Sequence, residues 1–495
     1  MSLKLSKSDY MLFLKHPAWL WLKKHNKAKL PVIDDNTQAI FDAGNLFEAY
    51  AQKLFLDGKR LGFTNYDEYL SLPNRTVQAL KNGTKTIFQG RFEHQQLTFI
   101  GDVISVVNEN TVDLYEIKSS TKVKEEHLFD LAFQMVVLES LGYTVRDIFV
   151  LHVNSEYVKQ GEINPHEFVI TAKITDEVRE KRELTKQKIE QALEIAQSKE
   201  MPDLSPSHAA LGSLNDWIAI YRNLVPIEKE SIYDLCTNNT DIISQLESKG
   251  IKKLMDIPDT FPLSKKQQVQ VDAVKQGKVL AIPEKIKEFL DSLTFPLYFL
   301  DYETLSSIVP YFDGLHPYQQ LPFQYSLHIL QSPGAELQHK EYLHRDNSHP
   351  GLPLLQQLKE DIGSNGTILV WYEPFEKSRN KELGEMFPEY ADFIQSVNNR
   401  IVDLMIPFSE GWYVNKDFLG SASIKKVLPV LVPDLSYTAL NIHEGAAAQR
   451  LWMEAVLYGK RDSEKEQILA DLIRYCGLDT LAMVEIYRYL YAFCS

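Results

Sequence analysis

The sequence has few cysteines, no long hydrophobic run and no excess of positive charge. Its three cysteines, Cys236, Cys476 and Cys494, lie far apart and form no CxxC pair. Neither a disulfide framework nor a cysteine-built zinc site is therefore expected, and a reducing cytoplasm suits such a chain. Because no apolar run of about 18 residues occurs, no transmembrane helix is expected. The N-terminal stretch also lacks the apolar core and small-residue cleavage site of a secretory signal.

The net charge of −14 disfavours a protein that coats nucleic acid, because neutralising phosphates requires lysine and arginine. Local contact with nucleic acid stays compatible with this charge, since acidic metal ligands add to the negative count. Four lysines are the candidate nucleic-acid contacts: Lys122, Lys124, Lys425 and Lys426. Lysines on an ordinary solvated helix face would account for either pair equally well.

The length of 495 residues predicts two to three domains rather than one core. In residues 1–205, patterns typical of helices alternate with patterns typical of strands. Residues 206–293 are mostly helical and are interrupted by prolines. Residues 294–495 begin with strand patterns and end with helical ones. We expect two α/β domains joined by a helical linker. Within the linker, Ile242–Ile257 predicts a helix, a turn at Gly250 and a second helix, similar to a helix-hairpin-helix that binds DNA phosphate. An ordinary helical turn is the alternative.

Two neighbouring strands of the N-terminal domain contain charged residues. The patterns predict strands over Leu97–Val107 and Thr111–Lys118, joined by a tight turn. Residues i and i+2 of a strand point to the same face, so Glu116 and Lys118 project together. A hairpin would place Asp102 beside Glu116. Carboxylate oxygens bind hard cations such as Mg²⁺, and a metal ion with a lysine is suited to phosphodiester hydrolysis.

Two predicted helices add further polar residues to this pattern, with Glu48 after Gly44 on the first and Gln134 on the second. The ordered set resembles the PD-(D/E)XK nucleases of the RecB type over roughly residues 1–200: Gly44-(x)3-Glu48, Gly101-Asp102, Glu116-x-Lys118 and Gln134. The resemblance implies three ligands of Mg²⁺ or Mn²⁺, namely Glu48, Asp102 and Glu116. It also implies that Lys118 and Gln134 are catalytic residues.

The sequence departs from that family at one point. Many such nucleases have four cysteines that bind an iron–sulfur cluster, one of them just before a proline near the N-terminus. Here His16-Pro17 occupies that place, and Met201–Val225 contains no cysteine. No iron–sulfur cluster is therefore expected, and packing must stabilise this region instead. Trp19, Trp21 and Trp217 are the candidate anchors.

The C-terminal part contains a second acidic pattern. The apolar strand Leu297–Leu300 ends in Asp301-Tyr302-Glu303, whose two acidic side chains share one face. Tyr475 and Asp479 lie four residues apart, which places them on one face of a helix. This order resembles the DnaQ-like exonucleases of the RNase H superfamily, in the variety with a tyrosine in the last motif, over roughly residues 295–490. The resemblance implies four acidic ligands for two metal ions, and a tyrosine hydroxyl that positions the attacking water.

The fourth acid of this pattern has two candidates. The family places an acid after an aromatic residue at the start of a helix, and Glu376 in Trp371-Tyr372-Glu373-Pro374-Phe375-Glu376 has that layout. Asp403, in Ile401-Val402-Asp403-Leu404, is the rival. In the family an aspartate at the later position is more often structural, so Glu376 is favoured.

Together the two halves are similar to bacterial RecB-like nucleases that have a C-terminal RNase H-like, 3′–5′ exonuclease domain. The resemblance implies a cytoplasmic, Mg²⁺- or Mn²⁺-dependent DNA nuclease with two catalytic centres, acting on single strands or ends in repair, recombination or defence. Two alternatives stay open. The chain could be a nucleic-acid-binding scaffold with one or both centres inactive, or its C-terminal domain could cut RNA. No membrane contact is expected, and the sequence does not identify protein partners.

Overall fold

Helices and strands alternate along the whole chain, which confirms the mixed α/β class predicted from the sequence. The computed structural model describes residues 3–495, and contacts divide them into two units. The first unit comprises the described residues through Ile227, Asn238–Glu247 and Ile308–Tyr318. The second comprises Glu228–Thr237, Ser248–Ser307 and Gln319–Ser495. Residues 206–293, predicted as a linker, are thus shared between the two units.

The first unit is built on a seven-stranded sheet. Its strands are β1 (Leu5–Ser6), β2 (Gly58–Arg60), β3 (Thr86–His94), β4 (Leu97–Asn108), β5 (Thr111–Lys118), β6 (Thr144–Val153) and β7 (Val169–Lys173). The order is β2-β3-β4-β5-β6-β7, and β1 pairs with β4. The central pair β4–β5 is the antiparallel hairpin predicted from the sequence, whereas β5 and β6 run parallel.

Ten helices accompany this sheet in the described part of the chain: α1 (Lys7–Lys15), α2 (Pro17–His25), α3 (Asp35–Gln52), α4 (Tyr66–Lys81), α5 (Glu125–Ser140), α6 (Pro165–Phe168), α7 (Thr175–Glu180), α8 (Arg182–Gln197), α9 (Leu214–Leu224) and α10 (Thr240–Ser248). Helix α5 is apolar and buried over most of its length, from Phe129 to Leu138. It connects two parallel strands, so it is the crossover helix that parallel pairing requires. Its position places Gln134 against the sheet.

Packing and hydrogen bonds join the N-terminal helices to the chain after α8. His16 stacks on Trp217 with ring centroids 3.8 Å apart, and its Nε2 lies 3.0 Å from the carbonyl oxygen of Ser205. Trp21 donates from Nε1 to the carbonyl oxygen of Ser198 at 3.0 Å. Trp19 lies 6.0 Å from Trp217, centroid to centroid. All three predicted tryptophan anchors therefore take part in this junction.

The second unit has a five-stranded mixed sheet and a two-stranded one. Its strands are β8 (Leu280–Ala281), β9 (Leu297–Leu305), β10 (Leu321–Leu330), β11 (Gln338–Leu343), β12 (Thr367–Val370), β13 (Ile401–Asp403) and β14 (Tyr413–Val414). The larger sheet has the order β11-β10-β9-β12-β13, antiparallel on the β10 side of β9 and parallel on the β12 side. Strand β9, which contains Asp301 and Glu303, is therefore central.

Nine helices of the described residues surround these sheets: α11 (Lys265–Gln276), α12 (Pro283–Asp291), α13 (Gly351–Asp361), α14 (Glu373–Met386), α15 (Ala391–Asn398), α16 (Ile406–Ser409), α17 (Ile424–Leu431), α18 (Gly445–Trp452) and α19 (Lys465–Cys494). The long α19 packs on β9 and β10. Gly366, before β12, has φ +88° and could not be another residue, because a Cβ there would lie 2.2 Å from the carbonyl oxygen of Pro296.

One local prediction was wrong in part. The predicted helix-hairpin-helix has its first helix, α10, and its turn at Gly250 (φ +71°). The second arm is instead a single 3-10 turn, Leu254–Asp256, because the chain before it pairs with Ser231.

Candidate functional site

The first candidate site lies on β4 and β5, where the hairpin register places the predicted acids together. Asp102 accepts a hydrogen bond at Oδ2 from the backbone amide of Ile117, at 2.8 Å. Lys118 projects from the same face of β5 as Glu116, and its Nζ lies 2.8 Å from Glu116 Oε1. Glu116 is buried. The period-two argument from the sequence thus describes this part of the site correctly.

Helix α5 contributes two side chains to the same site. Gln134 donates from Nε2 to Glu116 Oε2 at 2.7 Å and to Asp130 Oδ1 at 2.9 Å. Asp130 also accepts from Lys118 Nζ at 2.7 Å. The sequence analysis missed Asp130. Its spacing of four residues before Gln134, on one helix face, was a signal that could have found it.

Lys7 is a second site residue that the sequence analysis missed. From the start of α1 its Nζ reaches Glu116 Oε1 at 2.7 Å and Asp130 Oδ1 at 3.5 Å. Both Lys7 and Lys118 therefore contact the same oxygen of Glu116. No spacing rule connects residue 7 with residue 116, so only the fold reveals this contact.

Glu48 joins the site through Gln89. The Gln89 amide donates from Nε2 to Glu48 Oε1 at 2.7 Å and lies 3.4 Å from Asp102 Oδ1. Gln89 has φ +55°, in the left-handed region that side-chain-bearing residues rarely adopt. Such strained positions concentrate at functional sites. We name Glu48, Asp102, Glu116 and Asp130 the first carboxylate cluster.

Negative charge exceeds positive charge around the first carboxylate cluster, whose four carboxylates are contacted by Lys7 and Lys118 and, at 3.9 Å from Glu48 Oε1, by the exposed Arg60. Burial, followed by the charge of Glu116, raises the pKa of Asp102 to about 7. Burial would also raise the pKa of Asp130, but Lys118 and Lys7 outweigh it and hold that pKa below its usual range. The pKa of Lys118 is raised because Asp130 and Glu116 outweigh its burial. This charge excess fits a divalent cation.

The second candidate site lies where α19 crosses β9. One ligand atom from each of Asp301, Glu303 and Cys476 lies within 4.8 Å of the others. Asp479 lies three residues after Cys476 on α19, and its charge acts on both Asp301 and Glu303. We name Asp301, Glu303, Glu376 and Asp479 the second carboxylate cluster. Cys476 was not predicted as a site residue from the sequence.

The structure distinguishes the two candidates for the fourth acid. Asp403 accepts hydrogen bonds from the backbone amides of Tyr372, Glu373 and Met405 at 2.9–3.1 Å. It therefore caps the start of α14. Glu376 is 1% exposed, and its Oε2 has no hydrogen-bond partner. Burial, then the charges of Asp301 and Glu303, raise its pKa well above the ordinary range. Glu376 thus belongs to the second carboxylate cluster.

Two tyrosines and a lysine border the second carboxylate cluster. Lys425, on α17, donates from Nζ to the hydroxyl of Tyr475 at 3.2 Å and to the carbonyl oxygen of His443 at 2.7 Å. Tyr437, which the sequence analysis did not single out, donates from its hydroxyl to Asp479 Oδ1 at 2.5 Å. Burial raises the pKa of Asp479 to about 6, opposed by the Tyr437 hydrogen bond and by Lys425.

The four lysines predicted to contact nucleic acid differ in their positions. Lys425 lies inside the second site, as described above. Lys426, its neighbour on α17, is exposed. Lys122 and Lys124 are exposed between β5 and α5, a few residues after Lys118. None of these three takes part in the contacts that define the two carboxylate clusters.

Comparison with known proteins adds relatives without an assigned function. Residues 298–423 match a family model described as a domain of unknown function, DUF2779. This range includes Asp301, Glu303 and Glu376, whereas Tyr475 and Asp479 lie beyond it. The chain is 24% identical to the uncharacterized protein MG366 of Mycoplasma genitalium over 240 residues, covering 44% of this chain and 36% of that protein.

A second relative is the MG366 homolog of Mycoplasma pneumoniae, 26% identical over 227 residues that cover 42% of this chain and 34% of the relative. The uncharacterized protein UU173 of Ureaplasma parvum is 22% identical over 210 residues, covering 38% and 30% of the two chains. The chain spans about a third of the length of these curated relatives. Across residues 3–495, no helix combines the length and apolar character needed to cross a membrane.

Proposed function

We propose that the chain is a metal-dependent nuclease that hydrolyses DNA phosphodiester bonds, with one centre in each unit. The observation that supports this best is the second carboxylate cluster, in which Glu376 has a buried oxygen without a hydrogen-bond partner. Lys425 acts on Asp301, Glu303 and Asp479, and Arg379 acts on Glu376, so two cations face the four acids of the cluster. Buried carboxylates with so little compensation fit divalent cations, which bind through oxygen.

In the first centre, Glu48, Asp102 and Glu116 would bind Mg²⁺ or Mn²⁺, which supplies Lewis-acid stabilisation of a phosphate and a more acidic water. Lys118 stays charged, because the adjacent carboxylates hold its proton. It can therefore stabilise negative charge that develops on a phosphate oxygen. Gln134 fixes the orientation of Glu116 through the hydrogen bond to Oε2.

In the second centre, Asp301, Glu303, Glu376 and Asp479 would bind the same class of ion. Tyr475 stays protonated, because burial and the charge of Asp479 raise its pKa. Its hydroxyl accepts a hydrogen bond from Lys425, so its own proton is oriented away from the lysine and is available to a water molecule. Tyr475 thus positions the nucleophile rather than acting as its base.

The same proposal includes a domain family for each of the two units. The order and placement of the acids support a RecB-like PD-(D/E)XK domain in the first unit and a DnaQ-like, RNase H-like exonuclease domain in the second. Single strands or ends of DNA are the proposed substrates. Repair, recombination or defence in the cytoplasm are the settings in which such an enzyme would act.

A cleavage assay tests the proposal. End-labelled single- and double-stranded DNA and single-stranded RNA are each incubated with Mg²⁺, Mn²⁺ or EDTA, using the wild type, Lys118→Ala and Asp301→Ala. We expect metal-dependent cutting of DNA that the two variants reduce differently. Cutting of RNA by the wild type and by Lys118→Ala, but not by Asp301→Ala, would assign RNA to the second centre. Binding of DNA without any cutting would reject the nuclease function in favour of a scaffold.

A further inference from the structure

The second carboxylate cluster contains a thiol. Cys476 is fully buried, and its Sγ lies 3.8 Å from the backbone oxygen and 3.9 Å from the Oδ2 atom of Asp301. Both contacts are weak thiol hydrogen bonds, and both bring the sulfur to Asp301. Buried cysteines usually behave as small hydrophobic residues. Here the sulfur instead faces carboxylates, which an apolar role does not explain.

Two further observations indicate a ligand at this place. Cys476 and Asp479 are three residues apart on α19, so both project from one helix face toward β9. The Sγ atom and one oxygen each from Asp301 and Glu303 lie within 4.8 Å of one another. Donor atoms around one tetrahedral ion lie roughly 3–4 Å apart. Small side-chain rotations would therefore bring all three atoms to one ion.

Glu376 provides the independent observation. Its carboxylate is 1% exposed with one oxygen unpartnered, and the charges of Asp301 and Glu303 act on it. A buried polar oxygen without a partner is costly unless a ligand satisfies it. Two carboxylates and a thiol thus have ligand atoms within 4.8 Å of one another, and a third carboxylate, Glu376, is near enough for the charges of the first two to act on it.

We propose that Cys476 is a soft ligand in the second centre, so that this centre binds a thiophilic divalent cation of the Zn²⁺ or Co²⁺ class more tightly than Mg²⁺. Thiolate donors favour Zn²⁺ and similar ions, whereas Mg²⁺ requires oxygen. The inference rests on the proposed function in one respect, namely that the second carboxylate cluster is a metal centre. It adds that the two centres differ in metal preference, because the contacts of the first carboxylate cluster involve no sulfur.

Cobalt absorption on the full chain tests this directly, without an activity readout. Co²⁺ bound to a thiolate gives a near-ultraviolet charge-transfer band that oxygen ligands do not produce. We compare the wild type, Cys476→Ser and a Cys236→Ser/Cys494→Ser control under reducing conditions. The wild type and the control should show the band. Cys476→Ser should lose the band while retaining the visible absorption of bound Co²⁺.

A competition titration measures how much Cys476 contributes to the affinity for Zn²⁺. Cys476→Ser should weaken Zn²⁺ binding at the second centre at least about tenfold, with a much smaller change in Mg²⁺ binding. Circular dichroism establishes that the serine variant folds, and Cys476→Ala repeats the measurement without adding a hydroxyl. A band that survives both substitutions, or its absence from the wild type, overturns the inference.

One further variant separates this inference from the proposed function. Asp301→Asn should remove Co²⁺ from the second centre whether or not sulfur is a ligand. If metal-dependent cleavage occurs but the band is absent, only the thiol inference fails. If Asp301→Asn leaves Co²⁺ binding unchanged and the wild type cuts nothing, the second centre is not a metal site and both fail.

Discussion

Lys7 illustrates how a single residue can complete a site from a distant part of the sequence. Its ammonium group and that of Lys118 lie 2.7 Å and 2.8 Å from the same oxygen of Glu116. Both lysines are mostly buried. Truncating one partner of a buried ion pair leaves an uncompensated charge, which is the costly situation. Lys7 is thus expected to matter for both charge balance and cleavage.

Lys7→Met should lower cleavage by the first centre about tenfold or more, because one of two positive charges beside Glu116 and the substrate phosphate is lost. Lys4→Met is the matched control, since Lys4 lies on the same N-terminal segment but contacts Glu93 and the Gln95 carbonyl oxygen. Cleavage rates are measured in an Asp301→Ala background. Equal cleavage rates for Lys7→Met and Lys4→Met would show that the first centre does not need Lys7.

Asp102 predicts a pH dependence of stability. Its pKa is raised from 3.8 to about 7, so between these values the folded protein binds more protons at this site than the unfolded chain. Stability therefore falls as the pH rises from about 4 to about 7, by at most about 4 kcal/mol. In EDTA, the thermal midpoint of Asp102→Asn should exceed that of the wild type by more at pH 8 than at pH 5.

Mg²⁺ should reduce this difference, because the cation and the proton compete for the same carboxylates. Thermal unfolding by circular dichroism, with and without Mg²⁺, measures both effects. A difference between Asp102→Asn and the wild type that does not vary with pH would contradict the raised pKa of Asp102.

At the scale of an element, two acids are associated with α14: Asp403, on β13, has a structural role at its start, and Glu376, within it, has a proposed metal-binding role. Asp403 accepts hydrogen bonds from two backbone amides at the start of α14 and from a third, Met405, after β13, whereas Glu376 belongs to the second carboxylate cluster. The two residues were rivals for one role in the sequence. The structure gives them separate roles, which substitutions can distinguish.

Asp403→Ala should destabilise the protein by about 1–3 kcal/mol, because three backbone amides lose their acceptor. Glu376→Gln should leave stability unchanged or raise it, because the costly burial of a carboxylate is removed. Only Glu376→Gln should also weaken metal binding by the second centre. Chemical denaturation and a Co²⁺ titration measure these effects, and the opposite pattern would assign the ligand role to Asp403.

Elements with a strong local pattern were predicted well from the sequence. Strand β5 has the predicted bounds, and the β4–β5 hairpin follows from alternation and a tight turn. The second arm of the helix-hairpin-helix failed because a distant strand-like contact, between Ser231 and Lys253, outweighed local helix preference. Lys7 and Cys476 could not be assigned for a related reason, since tertiary packing alone brings them to acids more than 100 residues away.

At the scale of the whole molecule, the two carboxylate clusters lie in different contact units. Two centres that cut the same substrate independently act in parallel, so their rates add. If both centres act on DNA, the wild-type rate should equal the sum of the rates of Lys118→Ala and Asp301→Ala. The double variant should be inactive. If either single variant cleaves DNA as slowly as the double variant, the chain has one catalytic centre rather than two.

The segment Ile308–Tyr318 belongs to the first unit, although it lies between two strands of the second. Ile308 is buried in a cluster with Phe47 and Leu151. Lys159 donates from its backbone amide to the carbonyl oxygen of Leu315 at 3.1 Å and accepts from the amide of Gly314 at 2.9 Å. The parts of the chain before and after residue 293 are therefore not independent modules that recombination could exchange. A recombination event that replaced everything after residue 293 would also remove part of the core of the first unit, so the halves must be inherited together.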